Sequence, residues 1–91
     1  MSNQATIIKL LTDASVLIPE AIKTNRQYGY YAEFLQHYEF ELALDSLIEL
    51  VDETNFQVPT AFWQYLYQAA QAMRLEQHCI FLQEKAHSNA G

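Results

Sequence analysis

Apolar residues recur at helical spacing along almost the whole chain. The clearest stretch is residues 40–53. There Phe40, Ala43, Leu44, Leu47, Ile48 and Val51 fall at i, i+3, i+4, i+7, i+8 and i+11, which predicts one broad apolar helix face. Upstream, Ile7, Leu10, Leu11, Ala14, Leu17 and Ile18 repeat in the same way and predict a first helix, with Ser2 or Asn3 available as its N-cap. Pro19 ends or kinks that helix, because proline lacks an N–H and clashes with the preceding turn; it can equally open a short segment, PEAIKTN. Gly29 marks a break or a weak point. Residues 30–37 are predicted helical, with Tyr31, Phe34, Leu35 and Tyr38 inward.

A tight reversal around His37, Tyr38 and Glu39 then sends the chain back along residues 40–53, forming an αα-hairpin. Residues 54–58 read as a loop, and Pro59 marks the start of the next helix. Phe62, Leu66, Ala69, Ala70 and Met73 form its core face, Trp63 and Tyr67 a second ridge beside it, and Tyr65 falls on another side. Ala69, Ala70 and Ala72 are small enough to admit a neighbouring helix closely. A last helix, about 76–86, offers Cys79, Ile80 and Leu82 to the core, with Phe81 and Ala86 beside them. Residues 1–3 and 87–91 are expected to fray.

The predicted class is therefore all-α: a single domain over residues 1–91, built as a compact bundle of four or five helices. Composition agrees. Hydrophobic residues make up 51% of the chain, enough for one core, while two glycines and two prolines are too few for the many turns of a β-sandwich.

Charge adds a second pattern. Glu41, Asp45, Glu49 and Asp52 share the helix face opposite the apolar one, with Glu53 beside them and no lysine or arginine among them. Like charges one turn apart repel by about 0.2–0.5 kcal/mol per pair. A helix built only for solubility would alternate signs. The stripe therefore reads as a contact surface for a cationic partner, against the plainer reading of a solvated face. The bias extends beyond this helix. Residues 27–73 hold seven acidic residues and no lysine or arginine, and so carry −7; the flanks, with five cations and four anions, carry +1, giving the net −6. Direct nucleic-acid binding and attraction to an anionic membrane are disfavoured, since both need lysine or arginine. A basic protein fits by sign.

Other chemistry is thin. The carboxylates one turn apart all face water alike, so nothing separates an acid from a base, and a hard cation bridging two of them would not be a dedicated site. His37, His78 and His87 lack the spacing of a ligand set, and Cys79 beside His78 reads as a small buried apolar residue. No catalytic, cofactor or metal residues are assigned. Asp45-Ser46-Leu47 matches the tripeptide on which acidic helical carrier proteins bear a prosthetic arm, but Ser46 lies inside a helical pattern and not at a helix start. The single cysteine excludes an internal disulfide framework. With no apolar run long enough to span a bilayer and no secretory signal at the start, the expected location is cytoplasmic.

Residues 34–75 also carry a family likeness. Leu35, His37, Tyr38, Glu39, Phe40, Leu42, Ala43, Leu44, Asp45 and Leu47 resemble the signature of small helical bacterial immunity proteins of the MafI type. That signature has a leucine, a histidine-asparagine-glutamate turn, an aromatic residue, then leucine-alanine-leucine-acidic and a further leucine. Phe62, Trp63, Leu66, Ala69, Ala70, Met73 and Leu75 look similar to the second half of such proteins. Tyr38 departs from the pattern, standing where it has asparagine, the residue that better tolerates a left-handed turn. The resemblance implies a non-enzymatic inhibitor of a secreted toxin's C-terminal domain, commonly a nuclease, in polymorphic-toxin or contact-dependent growth inhibition systems. In that role Glu41, Asp45, Glu49, Asp52 and Glu53 would face the toxin, with Tyr30 and Tyr65 as aromatic anchors. The alternative is a helical adaptor or homodimer joined through its tyrosines and Trp63, with a carrier protein as the remaining reading.

Overall fold

The computed structural model describes residues 3–90, with side chains through residue 88. The described residues form α1 (Gln4–Val16), a 3-10 turn (Ile22–Thr24), α2 (Arg26–Gln36), α3 (Phe40–Thr54), α4 (Thr60–Ala72) and α5 (Glu76–Ala90). The class is all-α, as the periodicity predicts. Its Cα radius of gyration, 12.1 Å, is that of a close-packed chain of this length.

Helix ends follow local chemistry. α1 stops before Pro19, and the chain tightens into the 3-10 turn through Ile22 N–H donating to the Pro19 carbonyl at 3.0 Å. Asn3 holds the N-cap position without a side-chain cap bond, and Ser2 lies outside the described residues. α2 begins four residues before the expected start at residue 30. Asn25 caps it, its side-chain oxygen accepting from Gln27 N–H at 2.8 Å, and Gly29 continues the helix without a break.

The reversal at His37–Glu39 is a Schellman turn. Glu39 N–H donates to the Phe34 carbonyl at 2.9 Å and Tyr38 N–H to the Leu35 carbonyl at 3.1 Å, with Tyr38 left-handed at φ 60°. Tyrosine thus takes the left-handed conformation that asparagine tolerates better. In doing so its ring is carried outward, 62% exposed, and not inward as the spacing suggests. The α4–α5 corner repeats the device, with Arg74 at φ 58° and Leu75 N–H donating to the Ala70 carbonyl. α5 continues to Ala90, through residues 87–90 of the stretch expected to fray; residues 1, 2 and 91, expected to fray with them, lie outside the described residues.

α4 is the spine. It packs against α1 on one flank and α5 on another, and Phe62, Leu66, Ala69 and Ala70 are wholly buried. The α2–α3 hairpin lies against this group, pinned where the Tyr31 hydroxyl donates to the Leu11 carbonyl of α1 at 3.2 Å. α3 is rotated relative to the simple apolar-face reading. Leu50 and Ser46 are buried with Ala43, Leu44 and Leu47, whereas Ile48 and Val51 are only half-buried. Among the described residues of α5, Leu82 is buried in the core and Cys79 and Ala86 pack half-buried against it; Ile80 and Phe81, expected to contribute, are 56% and 41% exposed.

Candidate functional site

The acidic face of α3 survives folding, but its members do different jobs. Glu41, Glu49 and Asp52 are exposed and have no ion-pair or hydrogen-bond partner among the described residues. Asp45 is half-buried and its Oδ1 lies 2.7 Å from His78 Nε2 on α5. Glu53 accepts from Gln27 Nε2 at 2.8 Å and lies 3.8 Å from an Arg26 guanidinium nitrogen, which ties the end of α3 to the start of α2. Two of the five predicted contact carboxylates therefore serve as internal links. The cation-free stretch of sequence is likewise not cation-free in space, because Arg26 and Lys85 fold back towards it.

Beside this face runs a groove of about 580 Å³. It is lined by the second half of α3, the loop after it, Trp63 of α4 and the outer side of α5. Ile48, Val51, Phe56 and Phe81 supply apolar walls, while Glu49 and Asp52 line one side and Lys85 another. The Lys85 ammonium lies 5.7 Å from the Trp63 ring centre and 5.5 Å from that of Phe81, within cation–π range of both. Leu42, 45% exposed, stands one turn before Asp45 and offers an apolar contact on the acidic face itself.

The aromatic residues sort by burial. Tyr31 and Trp63 are core; Tyr28, Tyr65 and Tyr67 are half-buried; Tyr30 and Tyr38 are exposed. Tyr30 is thus available as an anchor. Tyr65 packs against the core, and neither it nor Tyr30 lines the groove beside Glu49 and Asp52.

No family model, curated protein or solved structure matches this chain.

The remaining chemical groups are explained by their surroundings. One donor atom each from Glu41, Asp45 and His78 lies within 4.8 Å of the others, near enough to share one divalent ion. Asp45 and His78 already satisfy one another, so the direct role of the pair is a tether between α3 and α5. Cys79 is half-buried, not fully so; burial and, next, the Glu76 carboxylate push its thiol up, which keeps it protonated and a poor nucleophile. Ser46 is 5% exposed in mid-helix, so a prosthetic arm there would have to open the core.

Four residues of this region escaped the pattern reading: His78, Phe81, Lys85 and Leu42. His78 and Lys85 are remote in sequence from the stripe they face. Phe81 reads as core because it is apolar, and Leu42 falls outside the apolar face of residues 40–53. Only Leu42 carried a local signal, since it lies two turns before Glu49 and so shares its helix face.

Proposed function

We propose that this chain is an immunity protein that binds a cognate bacterial toxin domain, a basic nuclease, and neutralises it in the cytoplasm. The observation that carries the reading is that Glu41, Glu49 and Asp52 stand exposed on one helix face and form no ion pair among the described residues. A chain with net charge −6 keeps like charges together there on a rigid scaffold, and a nuclease cleft lined for phosphates carries the opposite sign. The likeness of residues 34–75 to immunity proteins supports the same role. Among the described residues no helix is long and apolar enough to cross a membrane.

The test is association with the toxin domain encoded next to this chain, followed by stopped flow. The triple variant Glu41→Lys, Glu49→Lys, Asp52→Lys should slow association by about tenfold or more at low salt and leave the circular dichroism unchanged. The wild-type rate should fall as ionic strength rises. A rate indifferent to both changes means another surface binds. Exposed Ile80 and Phe81 favour a second reading, a self-contact through α5, which sedimentation separates: a salt-insensitive dimer supports it and a monomer excludes it.

A further inference from the structure

We infer that the groove between α3 and α5 is a slot for an arginine side chain of the protein partner, with Lys85 as its internal stand-in. The inference rests on the partner-binding reading above and assigns the contact to one place on the molecule.

Three observations converge. The groove, about 580 Å³, is in the size range of clefts that enclose a ligand, about 300–1,000 Å³. Its walls combine aromatic faces with two carboxylates, Glu49 and Asp52, that lack partners. This combination accommodates a group that is flat, cationic and weakly hydrated, which describes guanidinium better than ammonium. The third observation is that a cation already lies there. Lys85 is held over Trp63 and Phe81 and makes no ion pair among the described residues, so the aromatic pair accepts positive charge while the carboxylates go unmatched. An incoming arginine can stack on Phe81 and reach Glu49 or Asp52, moving the flexible lysine stem aside. An apolar neighbour of that arginine would meet Ile48 and Val51 on the groove wall. The partner is therefore a segment bearing arginine flanked by apolar residues.

The chain has a single tryptophan, Trp63, which lines this groove from the core side, so its fluorescence is a probe of the site, with circular dichroism as the control for change in the core. The probe is the peptide acetyl-Leu-Arg-Leu-amide, with acetyl-Leu-citrulline-Leu-amide as its uncharged match in shape. The arginine peptide should change Trp63 emission saturably, and the citrulline peptide should bind about tenfold more weakly. Lys85→Ala should tighten arginine-peptide binding several-fold by removing the competitor. Lys85→Gln, which keeps the stem, should do the same. Glu49→Gln with Asp52→Asn should weaken it.

Equal binding of the two peptides, or no saturable change in either the wild type or the Lys85 variants, overturns the assignment. So does an emission change driven by protein concentration alone, which would place a second copy in the groove. None of these arms uses a toxin. Loss of peptide binding with toxin association intact would therefore sink the slot and spare the immunity reading, and the reverse result would do the opposite.

Discussion

At the scale of single residues, several backbone positions are occupied by side chains that do not suit them. Gly29 lies inside α2 at an exposed site, with no positive φ, and a Cβ added there meets nothing within 4 Å. Its conformational freedom is used for nothing in the fold. Gly29→Ala should therefore raise stability by about 1 kcal/mol, read as a higher urea midpoint with an unchanged slope. Arg74 presents the opposite mismatch. At φ 58° it holds a left-handed position that favours glycine, whereas Asn55, at φ 52°, is well suited to its own. Arg74→Gly should stabilise by up to about 1 kcal/mol, and Asn55→Gly by much less. Equal effects at the two sites would mean that side-chain contacts, and not backbone strain, govern these corners.

At the scale of elements, the question is what fixes α5 against α3. The direct polar link is Asp45 with His78, and the side chains are 46% and 22% exposed, so solvent screens much of the attraction. Asp45→Ala should cost about 1 kcal/mol or less in urea unfolding. Glu41→Ala, one turn earlier and without a protein partner, should change nothing measurable. A loss at Glu41 equal to that at Asp45 would show that general charge on the helix matters and the tether does not. Asp45 thus serves the scaffold, while Glu41, Glu49 and Asp52 form no ion pair among the described residues.

At the scale of the whole molecule, the α2–α3 hairpin is joined to α1 by the buried Tyr31 hydroxyl. Burial pushes its pKa up, with a smaller contribution from nearby Tyr28, against the opposing hydrogen bonds of Ser15 and Thr12. A raised folded-state pKa means that the native state keeps its proton when the unfolded chain has lost it. The stabilisation is complete below the ordinary tyrosine value of about 10 and is lost as pH climbs through the folded value. Stability measured between pH 8 and pH 11 should therefore fall on the alkaline side. Tyr31→Phe should flatten that limb, at the cost of one hydrogen bond, about 1 kcal/mol at neutral pH. Superimposable alkaline limbs for the two proteins would assign the decline to other groups.

The sequence by itself determined the helices and most of their ends. Helix formation is local, so apolar periodicity and a reversal around Tyr38 could be read from residues a few positions apart. It also determined that the middle of the chain is acidic, because charge needs no fold to be counted. Tertiary structure decided how each helix is turned about its axis. That turn buried Leu50 and Ser46 and exposed Ile80 and Phe81, while the left-handed backbone at Tyr38 carried its ring outward. It also decided which carboxylates stay free. Asp45 meets a histidine 33 residues away, and Lys85 comes to lie beside Glu49 and Asp52. Such pairings follow from the packing of all faces at once, and no spacing within one helix contains them.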